Sequence, residues 1–140
     1  MACRVRVRLR RDYKTIETSA VLNSGFETDS PDIIIPVELA KRLGLWPPEE
    51  ESSILLETGG GEVSLTYHIS ALELELILGD REPKKTVVNV LINPYVHEVL
   101  ISDYVSSILG IILLDFKRGL WRLSDDPADK IRESVEMEEW

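Results

Sequence analysis

The chain is 140 residues long, 44% hydrophobic and 29% charged, a size that suits one domain with its own core rather than two. No run approaches the ~18 apolar residues that a membrane-spanning helix needs, and the lone cysteine, Cys3, excludes an intrachain disulfide and a thiolate zinc cluster. The net charge of −9 hides an asymmetry: Arg4, Arg6, Arg8, Arg10, Arg11 and Lys14 crowd the first positions, while 125–140 is strongly acidic, so the two ends should attract, within one chain or between two.

Arg4-Val5-Arg6-Val7-Arg8-Leu9-Arg10 alternates without a break, which predicts a strand with Val5, Val7 and Leu9 inward. No apolar signal core precedes it, so a cytoplasmic location is expected. Arg11 to Lys14 reads as a turn and Thr15 to Leu22 as the returning strand, ending at Asn23-Ser24-Gly25. After a polar stretch, Ile33-Ile34-Ile35 leads into Pro36 to Gly44. Proline at the first turn, Val37, Ala40 and Leu43 on one face and glycine past the end predict a short helix.

Ile54 to Glu57 and Val63 to Ile69 flank Thr58-Gly59-Gly60-Gly61, a hairpin with a glycine tip. No Gly-Lys-Ser/Thr follows, so this is no phosphate loop. Further strands are expected over Leu72–Leu78 and Val87–Ile92. Val99-Leu100-Ile101 reads as a buried strand, Ser102 as a helix cap, Asp103 to Leu109 as one or two helical turns, and Ile111–Phe116 with Leu120–Leu123 as a final hairpin. Beyond Pro127 only Ile131 and Val135 stand at helical spacing. Residues 1–124 are thus expected as one domain and 125–140 as an acidic tail, possibly helical. A strand, a helix and Leu-Gly occur twice, around Leu43-Gly44-Leu45 and Leu109-Gly110-Ile111, a loose internal duplication.

Ala20-Val21-Leu22-Asn23-Ser24-Gly25 resembles the retropepsin-like (retroviral-type) aspartic peptidases, in which an apolar strand runs into Asp-Thr-Gly or Asp-Ser-Gly. The downstream order resembles the family too. Pro36 to Leu45 is similar to the segment after the motif in bacterial and archaeal single-domain members. Glu57 to Val63 is similar to the glycine-rich flap. Leu100 to Gly110, followed by Leu113-Leu114-Asp115-Phe116, is similar to the apolar-apolar-Gly element and helix near the C-terminus. The resemblance spans Val5 to Leu123 and implies a mainly β, acid-protease barrel with one or two short helices that works as a homodimer on an extended peptide. The flap would be Thr58, Gly59, Gly60 and Gly61, and the site Asn23, Ser24 and Gly25, one set from each subunit.

Two positions depart from the pattern: Ser102 stands for the glycine, and Asn23 for the catalytic aspartate. In the family two carboxylates about 3 Å apart share a proton, one acting as base on a water and the other as acid to the peptide carbonyl. A side-chain amide has no such proton affinity. A dimer carrying Asn23 twice is therefore expected to bind rather than cut, whether the asparagine is natural or a deliberate exchange. With aspartate there the chain would be an aspartic endopeptidase.

The alternatives are a non-enzymatic peptide- or partner-binding dimer, including one in which the arginine strand meets the partner's acidic tail, and a nucleic-acid-binding β domain using Arg4 to Arg11. The pI of about 4.7 and the lack of interleaved aromatics argue against nucleic acid. His68 and His97 have no carboxylate at a recognisable ligand spacing, so no metal and no other cofactor is expected.

Overall fold

The computed structural model describes residues 2–48, 53–58 and 61–140, with 53–58 and 61–64 described as backbone. In chain order the elements are β1 (Arg4–Arg11), β2 (Lys14–Leu22), β3 (Asp32–Ile35), α1 (Val37–Arg42), β4 (Ser53–Thr58), β5 (Gly61–Leu76), β6 (Lys84–Ile92), β7 (Val99–Ile101), α2 (Asp103–Ile108), β8 (Ile111–Asp115), β9 (Leu120–Leu123) and β10 (Arg132–Glu133). The protein is mainly β with two short helices, as expected.

β1 and β2 form the expected hairpin around Asp12 and Tyr13, Arg11 facing Lys14. Val5, Val7 and Leu9 are fully buried and the intervening arginines point outward. The strands are hydrogen-bonded in the order β1-β2-β7-β3-β6-β5, and β1 also pairs with β5, so six strands close into a barrel. Closure removes the exposed edges of the six. β4 adds to β5 outside the ring and completes the hairpin with it. The barrel interior is one apolar core that includes Leu22, Ile33, Ile35, Val90 and Ile101.

β5 differs from expectation: one 16-residue strand replaces the two predicted. An irregularity between His68 and Leu72, with Ser70 at φ 49°, bends it without ending it. Below the bend it closes the barrel against β1; above it β5 runs past the end of β6 and carries β4.

The tail is not helical. A turn over Pro127 to Lys130, closed by the Lys130 N–H on the Pro127 carbonyl, leads into the short strand β10, where Arg132 faces Trp121 of β9, and no helix follows. Val135 N–H donates to the Arg4 carbonyl, Glu138 N–H to Ser19 Oγ and Trp140 N–H to the His97 carbonyl. Ile131 and Val135 stay exposed, so no apolar face draws the segment into a helix. The attraction between the chain's ends is met within the one chain, where Arg6 pairs with Glu138. The other outward arginines are also engaged: Arg4 with Glu98, Arg8 with Glu17 and Glu75, Arg10 with Glu73. No described helix is long and apolar enough to cross a membrane.

Candidate functional site

The loop at Asn23 is positioned by how β7 is threaded. β7 lies between β2 and β3, parallel to the first and antiparallel to the second. Leu22 therefore faces Ile101, and Asn23, one residue on, donates its N–H to the Ile101 carbonyl at 3.2 Å. Asn23 Oδ1 accepts from the Gly25 N–H at 3.1 Å and its backbone carbonyl from the Phe26 N–H at 3.1 Å. These bonds make an asparagine turn, which the residue favours by itself. Ser24 and Gly25 are exposed at its tip. A Cβ on Gly25 would lie 3.3 Å from Asn23 Oδ1, so the turn is closed tightly over that oxygen.

The turn is braced from α2. Asp103 N–H donates to the Phe26 carbonyl, and Asp103 Oδ1 accepts from the Thr28 N–H at 3.2 Å. Ser102, where the resemblance expects glycine, is the N-cap: its Oγ accepts from the Val105 N–H at 3.3 Å. Its backbone is ordinary extended chain at φ −66°, so serine fits without strain.

A carboxylate that sequence reasoning did not single out stands where β3 begins. Asp32 is buried and accepts from Tyr67 Oη at 2.8 Å, Asn89 Nδ2 at 2.9 Å and Ser30 Oγ at 2.9 Å. Asn89 Oδ1 in turn accepts from the Ser70 N–H at the bend of β5. Burial, together with this carboxylate, raises the Tyr67 pKa. The network ties the return from the Asn23 loop to β5 and β6 using neutral donors alone. Its signal in the sequence is an aspartate leading three consecutive isoleucines.

Outside the barrel wall Ile34, Leu65 and Leu91 form a second, small apolar cluster with Phe26, Tyr67, Val96 and Leu100 packed on it. Phe26 comes from the Asn23 loop and Val96 from the loop after β6, so the cluster is an apolar floor between the two. The hairpin β4–β5 rises from its side: Leu65 is in the floor, and the hairpin pairs as far as Thr58 opposite Gly61. Gly59 and Gly60, the expected flap tip, lie outside the described residues.

The duplication seen in the sequence is structural. Asn93 ends β6 as Asn23 ends β2: its N–H donates to the Ile35 carbonyl, its Oδ1 accepts from Tyr95 N–H, and its carbonyl from Val96 N–H. β3 leads into α1 as β7 leads into α2, and Gly44 and Gly110 end the helices at φ 74° and 75°. At that angle glycine has no steric cost.

His68 lines a groove of about 650 Å³ with Arg11, Gly44, Pro47, Ile69 and Val87. Its Nε2 is buried without a partner among the described residues, and burial and the nearby Arg11 lower its pKa. Neither Asn23, Ser24 nor Gly25 lines this groove. No group of His, Cys, Asp and Glu among the described residues could hold a metal ion. No protein-family model matches the chain, and no curated protein matches it.

Proposed function

We propose that this protein is an aspartic-peptidase-like homodimer with a cleft for an extended peptide, silent as written because Asn23 stands where the family has its catalytic aspartate. One observation carries the reading. β7 runs between β2 and β3, so that Asn23-Ser24-Gly25 and Leu100-Ile101-Ser102, distant in sequence and separately similar to two family motifs, lie side by side through the Asn23 N–H to Ile101 bond. The apolar floor beneath the Asn23 loop and the hairpin beside it supply what an extended ligand needs: apolar side-chain sites and a strand at which to hydrogen-bond.

The amide at 23 holds its turn as a carboxylate would, because the bond it accepts from Gly25 needs only an oxygen. What it lacks is a titratable proton. In the Asn23→Asp form the same N–H would favour the ionised acid, and the paired loop of a second copy would supply the carboxylate to share its proton. The test is Asn23→Asp against the protein as written, on a mixed peptide library from acid to neutral pH. Cleavage only by the aspartate form, blocked by a statine-type transition-state analogue, is expected. Two inert, folded dimers would remove the peptidase reading.

A second reading, a peptide-binding dimer with no catalytic past, is favoured by the way Asn23 fits its turn. It predicts that the protein as written binds extended peptides and that Asn23→Asp weakens binding without adding cleavage.

A further inference from the structure

In a chain of net charge −9 cations should find carboxylates, and Arg4, Arg6, Arg8 and Arg10 all do. Arg11 and Lys14, which face each other across the end of the β1–β2 hairpin, break that pattern. Both are half-buried, and neither has a carboxylate partner among the described residues. They converge instead on the end of α1. Arg11 Nη1 donates to the Leu43 and Gly44 carbonyls at 3.3 and 3.1 Å, and Lys14 Nζ lies 2.6 Å from where a Cβ on Gly44 would stand. Helix-end carbonyls attract cations, but they engage one nitrogen of the Arg11 fork and leave its other donors, and the Lys14 ammonium, unused among the described residues.

Arg11 and Gly44 line the groove of about 650 Å³ that also holds His68. Arg11 is near enough to His68 to help lower its pKa, and His68 Nε2 is buried with no partner among the described residues. A buried ring nitrogen left unpaired is costly, and a ligand that meets it removes the cost. Apolar groups line the same groove: Pro47, and Ile69 and Val87, which are 74% and 52% exposed.

We propose that this groove binds a small monocarboxylate with an apolar body, the carboxylate on Arg11 beside Lys14 and His68, the body against Pro47, Ile69 and Val87. The volume falls within the range of small-molecule sites, roughly 300–1,000 Å³. A guanidinium fork matches a carboxylate in shape and charge. One negative charge fits better than two, because Asp12 and Glu73 line the groove as well and the Leu43 and Gly44 carbonyls stand at its cationic end. The groove lies at the bend of β5, and neither Asn23, Ser24 nor Gly25 lines it, so the inference does not rest on the peptidase reading.

The experiment is a titration of the isotope-labelled full chain with phenylacetate near neutral pH, beside phenylacetamide and phenyl phosphate, followed by nuclear magnetic resonance. Phenylacetate should bind with a Kd of about 1 mM or tighter and shift Arg11, Gly44, His68 and Ser70, and phenylacetamide should bind at least about tenfold more weakly. A carboxylate beside His68 favours the imidazolium, so the His68 titration should move to higher pH with phenylacetate and stay in place with the amide. The charged groups already lining the groove, Arg10, Arg11, Asp12 and Glu73, are the same in both arms. Arg11→Gln should weaken phenylacetate at least about tenfold and Lys14→Gln about threefold, with the fold checked by circular dichroism. Lys117→Gln, the same change of charge at an exposed turn, should leave binding unchanged. The comparison of acid with amide uses the protein as written, so it stands even where a variant fails to fold. No saturable shift by ~20 mM, equal affinity for phenylacetamide, or tighter binding of phenyl phosphate overturns the proposal. So does a loss with Lys117→Gln as large as with Arg11→Gln, which would reduce the binding to net charge.

Discussion

The loops at Asn23 and Asn93 close the same turn with the same three bonds, yet their surroundings differ. Asn23 is followed by Ser24 and Gly25, the smallest tip that can bring two chains close, and is braced by a helix start and a buried carboxylate network. Asn93 is followed by Pro94 and by Tyr95, 79% exposed, and its exit is covered by the tail, where Trp140 N–H donates to the His97 carbonyl. An asparagine turn at a strand end is thus a property of the barrel's duplication and marks no site by itself. The tip and what stands behind it separate the candidate site from its internal counterpart.

The largest expected effect tests that separation directly. Asn23→Asp should raise peptide cleavage at acid pH by ~10²–10⁴ over the protein as written, the range of general acid–base catalysis. Asn93→Asp, with the same backbone bonds, should give none. Cleavage from both, or from the Asn93 variant alone, would erase the distinction drawn between the loops.

Next in size are the supports. By the internal duplication, which matches β3 and α1 with β7 and α2, Asp32, which opens β3, corresponds to Glu98 just before β7. Asp32→Ala leaves Tyr67, Asn89 and Ser30 donors buried or half-buried without their acceptor and should cost about 3 kcal/mol in urea unfolding. Glu98→Ala removes the Arg4 ion pair, 2.7 Å long and partly exposed, and should cost about 1 kcal/mol. Equal losses would mean that the Asn23 side is no better braced than its counterpart.

Trp140→Ala follows. Its ring packs on the core, its Nε1 donates to Thr18 Oγ1 at 3.0 Å and the Arg42 guanidinium lies 5.1 Å from its centroid. A loss of about 2 kcal/mol is expected. Amide exchange should rise around His97 and Thr18 and stay unchanged at Phe26 and Asp103. Exchange rising equally at both loops would show that the tail supports the whole barrel.

Much of this was legible in the sequence wherever local pattern and tertiary demand agree. Val5, Val7 and Leu9 alternate because one strand face is core, and Pro36 with Gly44 delimits α1 because both residues act through their own backbone. The tail misled because Ile131 and Val135 have helical spacing, whereas its conformation is set by partners far away in sequence, Trp121, Arg4 and Ser19. β5 was split in two because a bend at Ser70 looks like an end when its continuing partner, β6, is unseen. At the site the loop could be read from three residues, but the Asp32 network could not. Its donors come from β5 and β6, and only the fold brings them to the carboxylate.

The smallest effect concerns acid, where the peptidase assay must be run. The tail is anchored at its start by carboxylates on cations: Arg132 donates to Asp126 at 2.9 Å and to Asp80 at 2.7 Å, and Arg81 and Lys84 reach Asp125. Arg132 holds Asp80 down to about 2, Arg81 and Lys84 hold Asp125 at about 2, and Arg132 also holds the Asp126 carboxyl well below the usual range. A carboxyl with a lower pKa in the folded chain stabilises it above the ordinary value near 4, and that contribution disappears as pH falls toward 2. The contribution of these carboxylates should therefore be flat from pH 7 to about 5 and decline between about 4 and 2. His68, whose pKa burial lowers, takes a small part of the stability away as pH falls below the ordinary histidine value of about 6.5, leaving the Asn23→Asp assay folded at moderately acid pH. Arg132→Met strips Asp126 of its main cation while leaving it buried, so its proton uptake and the start of the decline should move to higher pH. An acid unfolding curve unchanged by Arg132→Met would show that the anchor carries no pH dependence, and that an acid limit on the aspartate form has to be sought at the loop itself.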